Sequence, residues 1–265
     1  MRITPGTRAL VTGASRGIGR ALAEALAARG ATVGLAARSA GELDALAAAL
    51  PGTHRVLPCD VGDAESVRAA VDGFAEAAGG LDLLIANAGI THYRPFREQP
   101  LAEAEAMTRV NWLGTLYAVH FGLPHLLDAG RGHVVVMSSG AGLRSFPGAA
   151  VYGATKAAQR MFAEALRHEL DGTGVSLTTV YPGEIATSLH DHEHDRLPAW
   201  YRGGPRALPA AELADKILAG VEADARSVFH PPVVRLLGVL HNASPRASDA
   251  LLRRLRGRTA APRRD

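Results

Sequence analysis

The sequence predicts an α/β fold built on a doubly wound parallel sheet, a single domain with a substrate lid and a C-terminal helical extension. Three observations point there. Short apolar runs alternate with Ala-rich stretches of helical length. The runs are nearly continuous rather than alternating, as in strands buried on both faces. A glycine cluster falls between the first run and the first helical stretch, and strand-helix alternation of this kind places ligands at the carboxyl ends of the strands.

Strands are expected over residues 8–12, 32–36, 55–59, 83–86, 134–138 and 176–181, with helices over 17–29, 40–50, 63–78, 101–128 and 152–170. After Tyr181 a polar stretch with Pro and Gly runs to Arg206, too long for a simple connector, and reads as a lid over 184–206. A helix over 210–223 and a short strand over 227–229 complete the sheet edge. Two amphipathic pieces, 233–240 and 250–255, follow Pro231-Pro232. The chain divides into a domain over 1–245 and a basic tail over 246–265.

Composition narrows the function classes. Hydrophobic residues make up 47% of the 265, ample for a core. The one cysteine, Cys59, excludes an intrachain disulfide and suits a reducing compartment. The N-terminus lacks the apolar run of a signal peptide, and no apolar stretch reaches the ~18 residues of a membrane span, so a cytoplasmic protein is expected. The net charge of +3 is uneven: residues 246–265 hold seven arginines against Asp249 and Asp265. The remainder is slightly acidic, which argues against nucleic-acid binding by the folded body.

The first strand runs into Thr12-Gly13-Ala14-Ser15-Arg16-Gly17-Ile18-Gly19. Glycines at 13, 17 and 19 allow a sharp turn and close approach to a pyrophosphate, and the helix behind them offers free N–H groups and a positive dipole end. The spacing is G-x-x-x-G-x-G, not G-x-G-x-x-G. The ribose-binding place about twenty residues on reads Ala36-Ala37-Arg38-Ser39, without an acid. Arginine matches a 2′-phosphate bidentately, so Arg38 with Arg16 favours NADP(H) over NAD(H).

Tyr152 and Lys156 sit four residues apart, on one helix face. Only Lys156 and Lys216 are lysine among the 29 basic side chains, which singles out the first. An ammonium beside a phenol is expected to lower its pKa toward the range useful for proton transfer to a carbonyl oxygen. Ser138-Ser139 ends the fifth expected strand, Asn87-Ala88-Gly89 ends the fourth, and Asn111 lies in the helix between them.

Taken together, the stretch from about Arg8 to Thr187 resembles the short-chain dehydrogenase/reductase family, the Tyr-x-x-x-Lys group with a Thr-Gly-x-x-x-Gly-x-Gly cofactor loop. The resemblance implies a Rossmann-like fold and hydride exchange between NADP(H) and a ketone or secondary alcohol. It makes Tyr152 the general acid/base, Ser139 the hydroxyl holding the substrate oxygen, Lys156 the nicotinamide-ribose ligand that depresses the tyrosine pKa, and Asn111 the holder of a relay water. Gly13, Ser15, Arg16, Gly17, Ile18 and Gly19 would form the cofactor loop, its glycines against the pyrophosphate and Arg16 beside Arg38. Asp60, followed by Val61, matches the adenine contact, and Asn87, Ala88 and Gly89 the segment beside the adenosine ribose. Pro182 and Gly183 lead to Ile185 and Thr187 at the nicotinamide carboxamide. Glu184 departs from the apolar residue often found there. A homodimer or homotetramer pairing through 101–128 and 152–170 is implied as well.

Other features bear on the substrate. His190-Asp191-His192-Glu193-His194-Asp195 invites a metal reading, but the resemblance needs no metal, and a solvated or pH-sensitive lid is expected. The pocket is expected to be bordered by His92, Tyr93, residues 140–144, Leu189, Trp200 and Tyr201. The apolar C-terminal pieces would cover the core or an interface, enlarge the pocket for a bulky apolar ketone, or rest on an anionic membrane. A physiologically oxidative dehydrogenase, a non-catalytic NADP-binding sensor and a membrane-associated structural module, the last resting only on the tail, are the competing readings. Intact Ser139, Tyr152 and Lys156 disfavour the sensor.

Overall fold

The computed structural model of the chain describes residues 1–187, 189 and 207–255. In chain order the elements are β1 (Arg8–Thr12), α1 (Gly17–Ala28), β2 (Thr32–Ala37), α2 (Ala40–Ala49), β3 (Arg55–Pro58), α3 (Ala64–Ala78), β4 (Leu83–Ala86), α4 (Leu101–Met107), α5 (Gly114–Asp128), β5 (Gly132–Met137) and α6 (Ala150–Glu169). Then follow β6 (Val175–Pro182), β7 (Ile185–Ala186), β8 (Leu208–Pro209), α7 (Ala210–Glu222), β9 (Ser227–His230), α8 (Val233–Ala243) and α9 (Pro245–Leu255).

Seven strands form one parallel sheet in the order β3-β2-β1-β4-β5-β6-β9. The order reverses between β1 and β4, opening a crevice at their carboxyl ends. Successive strand residues feed opposite layers. Val11, Ile85 and Val135 pack with α1, α2 and α7 through Leu22, Leu43 and Ile217. Leu10, Leu84 and Val134 pack with α3, α5 and α6 through Phe74, Leu126 and Leu166. Both sheet faces are therefore dry, as the continuous apolar runs require.

Two features depart from the sequence reading. The helix expected over 101–128 widens into a π-helical segment, Thr108–Leu113, between α4 and α5. There the Asn111 carbonyl accepts from Thr115 Oγ1 (2.9 Å) and Gln159 Nε2 (2.8 Å). Side chains thus take up a backbone acceptor, a recognised cause of a local change in helix geometry. The second departure is the two-stranded ribbon of β7 and β8, which pairs Ile185 with Leu208 and brackets the segment expected as a lid. The His190–Asp195 run, Trp200 and Tyr201 lie outside the described residues. Residues 245–255, at the start of the expected basic tail, form α9, tied to the body by Arg144 Nη2 and Asp249 Oδ1 at 2.6 Å.

Candidate active site

A cleft of about 580 Å³ opens at the β1/β4 switch point. Its floor is the turn from β1 into α1. Gly13 and Ala14 donate to the Ala36 carbonyl (2.7 and 3.1 Å), pinning the turn to β2. Gly13 has φ +69°, and a Cβ there would come within 2.9 Å of the Ala88 Cα. A Cβ on Gly19 would overlap the Gly13 carbonyl group. No side chain caps α1, so the N–H groups of its first turn stay open toward the cleft, the arrangement that receives phosphate. Ser15, Arg16, Gly17 and Ile18 line the same wall.

β4 closes the opposite side. Thr12 Oγ1 accepts from the backbone N–H groups of Asn87 (3.0 Å) and Ala88 (3.1 Å). Asn87 Nδ2 donates back to the Thr12 carbonyl at 2.9 Å. The Asn87 amide therefore locks the glycine turn to β4, a role its sequence position did not announce. Asp60 and Val61 line the cleft beyond Arg38, and Asp60 Oδ1 accepts from the Gly62 N–H (2.9 Å). Pro182, Gly183, Ile185 and Thr187 complete the rim, where Gly17 faces Thr187: a Cβ on this glycine would lie 3.2 Å from the threonine Cβ. All the residues expected at the cofactor thus border one cleft.

Glu42, in the first turn of α2, borders it too, and sequence reading missed it. Its acid sits four positions beyond Arg38, so a carboxylate and a guanidinium share the adenosine end. Neither Arg16 nor Arg38 makes an ion pair with another described residue.

The proton-handling groups converge from β5 and α6. Ser139 precedes the short turn 140–142, accepts from the Ala141 N–H at 3.2 Å and lies beside the Tyr152 phenol in the cleft lining. Glycine at 142 lets this turn lie against α6, because a Cβ there would come within 2.7 Å of the Lys156 carbonyl oxygen. Lys156 Nζ donates to the Met137 carbonyl at 2.9 Å and lies 5.8 Å from the Tyr152 ring centre. Tyr93 stacks edge-on against Tyr152, centroids 5.8 Å apart, and so fixes the phenol's orientation instead of bordering the cleft as expected.

Burial sets the electrostatics. Loss of hydration drives the Lys156 pKa down from 10.5 to about 7. The same effect raises that of Tyr152, with the Ser139 hydroxyl opposing it. Burial opposes the expected lowering of the phenol, because it weakens the lysine's own charge and penalises phenolate. The Tyr152 phenol is therefore protonated at neutral pH.

Asn111 lies beneath the site and does not line it. Its Oδ1 accepts from the Ile90 N–H (2.8 Å), and its Nδ2 donates to the Ile90 carbonyl and Thr155 Oγ1 (3.0 Å each). Its side chain is fully engaged, so it stitches the β4 loop to α6. Gln159, also unforeseen, is fully buried and donates to Thr115 Oγ1 at 2.6 Å as well as to the Asn111 carbonyl. The signal was present, since Gln159 falls on the same helix face as Tyr152, Thr155 and Lys156.

A family model described as short chain dehydrogenase matches residues 7–197. Glycine betaine reductase ATRR of Emericella nidulans is 40% identical over 187 residues, 69% of this chain; the chain spans only 15% of that protein's length. An oxidoreductase of Myxococcus xanthus, described as uncharacterized, is 39% identical over 184 residues, covering 68% of this chain and 73% of that one. Among solved structures, a short-chain dehydrogenase of Burkholderia cenocepacia in complex with NADP aligns with a TM-score of 0.81 at 29% identity, over 95% of this chain and 99% of that one. One from Burkholderia phymatum in complex with NAD aligns at 0.81 and 26% identity over the whole of both chains.

Proposed function

The chain belongs to the short-chain dehydrogenase family, and from that premise we propose that it is an NADP(H)-dependent oxidoreductase that interconverts a ketone and a secondary alcohol, running as a reductase with Tyr152 as the acid. The observation that carries the reading is the pairing of a buried, protonated phenol, with Ser139 beside it, and a nearly desolvated Lys156 at the edge of a dinucleotide-sized cleft.

The cleft suits a dinucleotide. The uncapped α1 N-terminus and the Cβ-free surface at Gly13, Gly17 and Gly19 receive a pyrophosphate, and Arg16 with Arg38 supply charge for a 2′-phosphate. When bound, the nicotinamide supplies the hydride. The protein's part is orientation and the proton. Ser139 holds the carbonyl oxygen against the Tyr152 hydroxyl, which donates its proton as alkoxide charge develops. Lys156 is poised to gain a hydrogen-bonding ribose partner, and with it a stronger positive charge that steadies the phenolate left after transfer.

Arg16 and Arg38 support the phosphate-bearing cofactor, while Glu42 opposes it by like-charge repulsion, so discrimination should be moderate. The test is to titrate the protein with NADPH and NADH and to follow nicotinamide absorbance against a panel of ketones. Tighter NADPH binding with ketone-dependent oxidation supports the proposal. Preferred use of NADH would overturn the cofactor assignment, and failure to bind either would remove its basis.

A further inference from the structure

We propose that the outer surface formed by α8 and α9 docks on an anionic lipid bilayer. Helix α8 is apolar on two sides. Its inner side, through Val234 and Gly238, packs on the catalytic turn: Val234 Cγ1 and Cγ2 lie 3.1 Å from where a Cβ on Gly140 or Gly183 would sit, and Leu143 fills the space over Gly238. That contact satisfies the fold. Yet the outer side carries Val233, Leu236, Val239 and Leu240, which are 50, 55, 57 and 41% exposed. At 100° per residue these four positions span one third of the helix circumference, a continuous stripe rather than scattered exposure. Such a stripe on a surface helix marks a contact site.

Charge decides the occupant. Residues 231–265 hold eight arginines against Asp249 and Asp265, so the chain's net +3 comes from this end while residues 1–230 sum to −3. Asp249 is taken by Arg144 at 2.6 Å, and Arg246, Arg253 and Arg254 are exposed on α9. Arg235 flanks the stripe on α8 itself. An apolar helical face beside concentrated arginine, with one acid already paired, complements anionic headgroups over an acyl boundary. A two-fold contact with a second copy would instead set the same arginines against one another. Because α8 also covers the turn after Ser139, docking would bring that turn within one helix of the bilayer. If the reductase reading holds, that favours a carbonyl compound dissolved in lipid.

The test needs neither cofactor nor substrate, so its failure is separable from failure of the reductase reading. The full-length protein is sedimented with vesicles of phosphatidylglycerol and phosphatidylcholine, and with phosphatidylcholine alone. Binding is expected only to the anionic vesicles and to weaken with salt. Leu236→Glu/Val239→Glu should lower partitioning by at least roughly tenfold, and Arg253→Glu/Arg254→Glu by a similar factor. Circular dichroism and the mass from light scattering should stay unchanged. The proposal is overturned by absence of binding to anionic vesicles, or by binding indifferent to both double variants. A wild-type oligomer that Leu236→Glu/Val239→Glu breaks into smaller species would overturn it too, by making the stripe a contact between copies.

Discussion

Replacing Lys156 by methionine should make the cofactor-free protein more stable while removing its activity. The lysine is 4% exposed and hydrogen-bonds only the Met137 carbonyl, and burial holds its pKa at about 7 against 10.5 in the unfolded chain. A folded-state pKa below the unfolded one means that the unfolded chain binds more protons. The cost is absent above pH 10.5, grows as pH falls and is complete below 7. Those two values correspond to roughly 4 kcal/mol at pH 7.5 and about 2 kcal/mol at pH 9. Methionine keeps the unbranched shape without the charge, and losing the bond to Met137 returns about 1 kcal/mol. The net gain is therefore roughly 3 kcal/mol at pH 7.5, falling to about 1 at pH 9, or roughly 6 and 2 °C in melting temperature for a chain of this size. Differential scanning fluorimetry of both proteins at the two pH values reads it directly. A variant that melts below wild type, or a gap that does not shrink with pH, would refute the reasoning.

Burial also holds His133 neutral, with its pKa lowered from 6.5 to about 4, so the fold should lose stability as pH falls through that interval. His133→Gln should flatten the acid limb of urea-unfolding midpoints measured from pH 7.5 to 4.5, and an unchanged slope would count against it. Gly19→Ala places a Cβ on the Gly13 carbonyl group and should weaken dinucleotide binding on the order of a hundredfold, since a displaced phosphate turn loses several hydrogen bonds; isothermal titration checks this. Arg38→Ala should shift the NADPH to NADH preference toward NADH by roughly tenfold, and Glu42→Gln should move it the other way by a few-fold. Ratios of kcat/KM for the two cofactors report both.

Strand positions were legible because parallel strands buried on both faces write themselves as continuous apolar runs. The strands at 8–12 and 83–86 coincide with their expected bounds. What escaped was fixed by distant partners. β7 and β8 are two residues each, joined across more than twenty positions, too short to carry a period. The π segment at Thr108–Leu113 carries an Asn111 carbonyl that Gln159 of α6 reaches as well as Thr115, and the Gln159 contact is encoded by no local pattern in 101–128. The site was legible as a set of residue types at set spacings, and all of them but Asn111 border one cleft. Its electrostatics were not. Spacing put Lys156 near Tyr152 but gave no measure of hydration, and hydration decides the direction in which both titrate.

The most direct test of the central claim is turnover by Tyr152→Phe, measured with NADPH and a ketone that the wild type reduces. Removing the phenolic hydroxyl should lower kcat on the order of 10²–10⁴-fold, the usual worth of a positioned general acid. NADPH affinity should stay within about twofold, since the ring still packs against Tyr93. Near-wild-type kcat in that variant would contradict the assignment of Tyr152 as the proton donor.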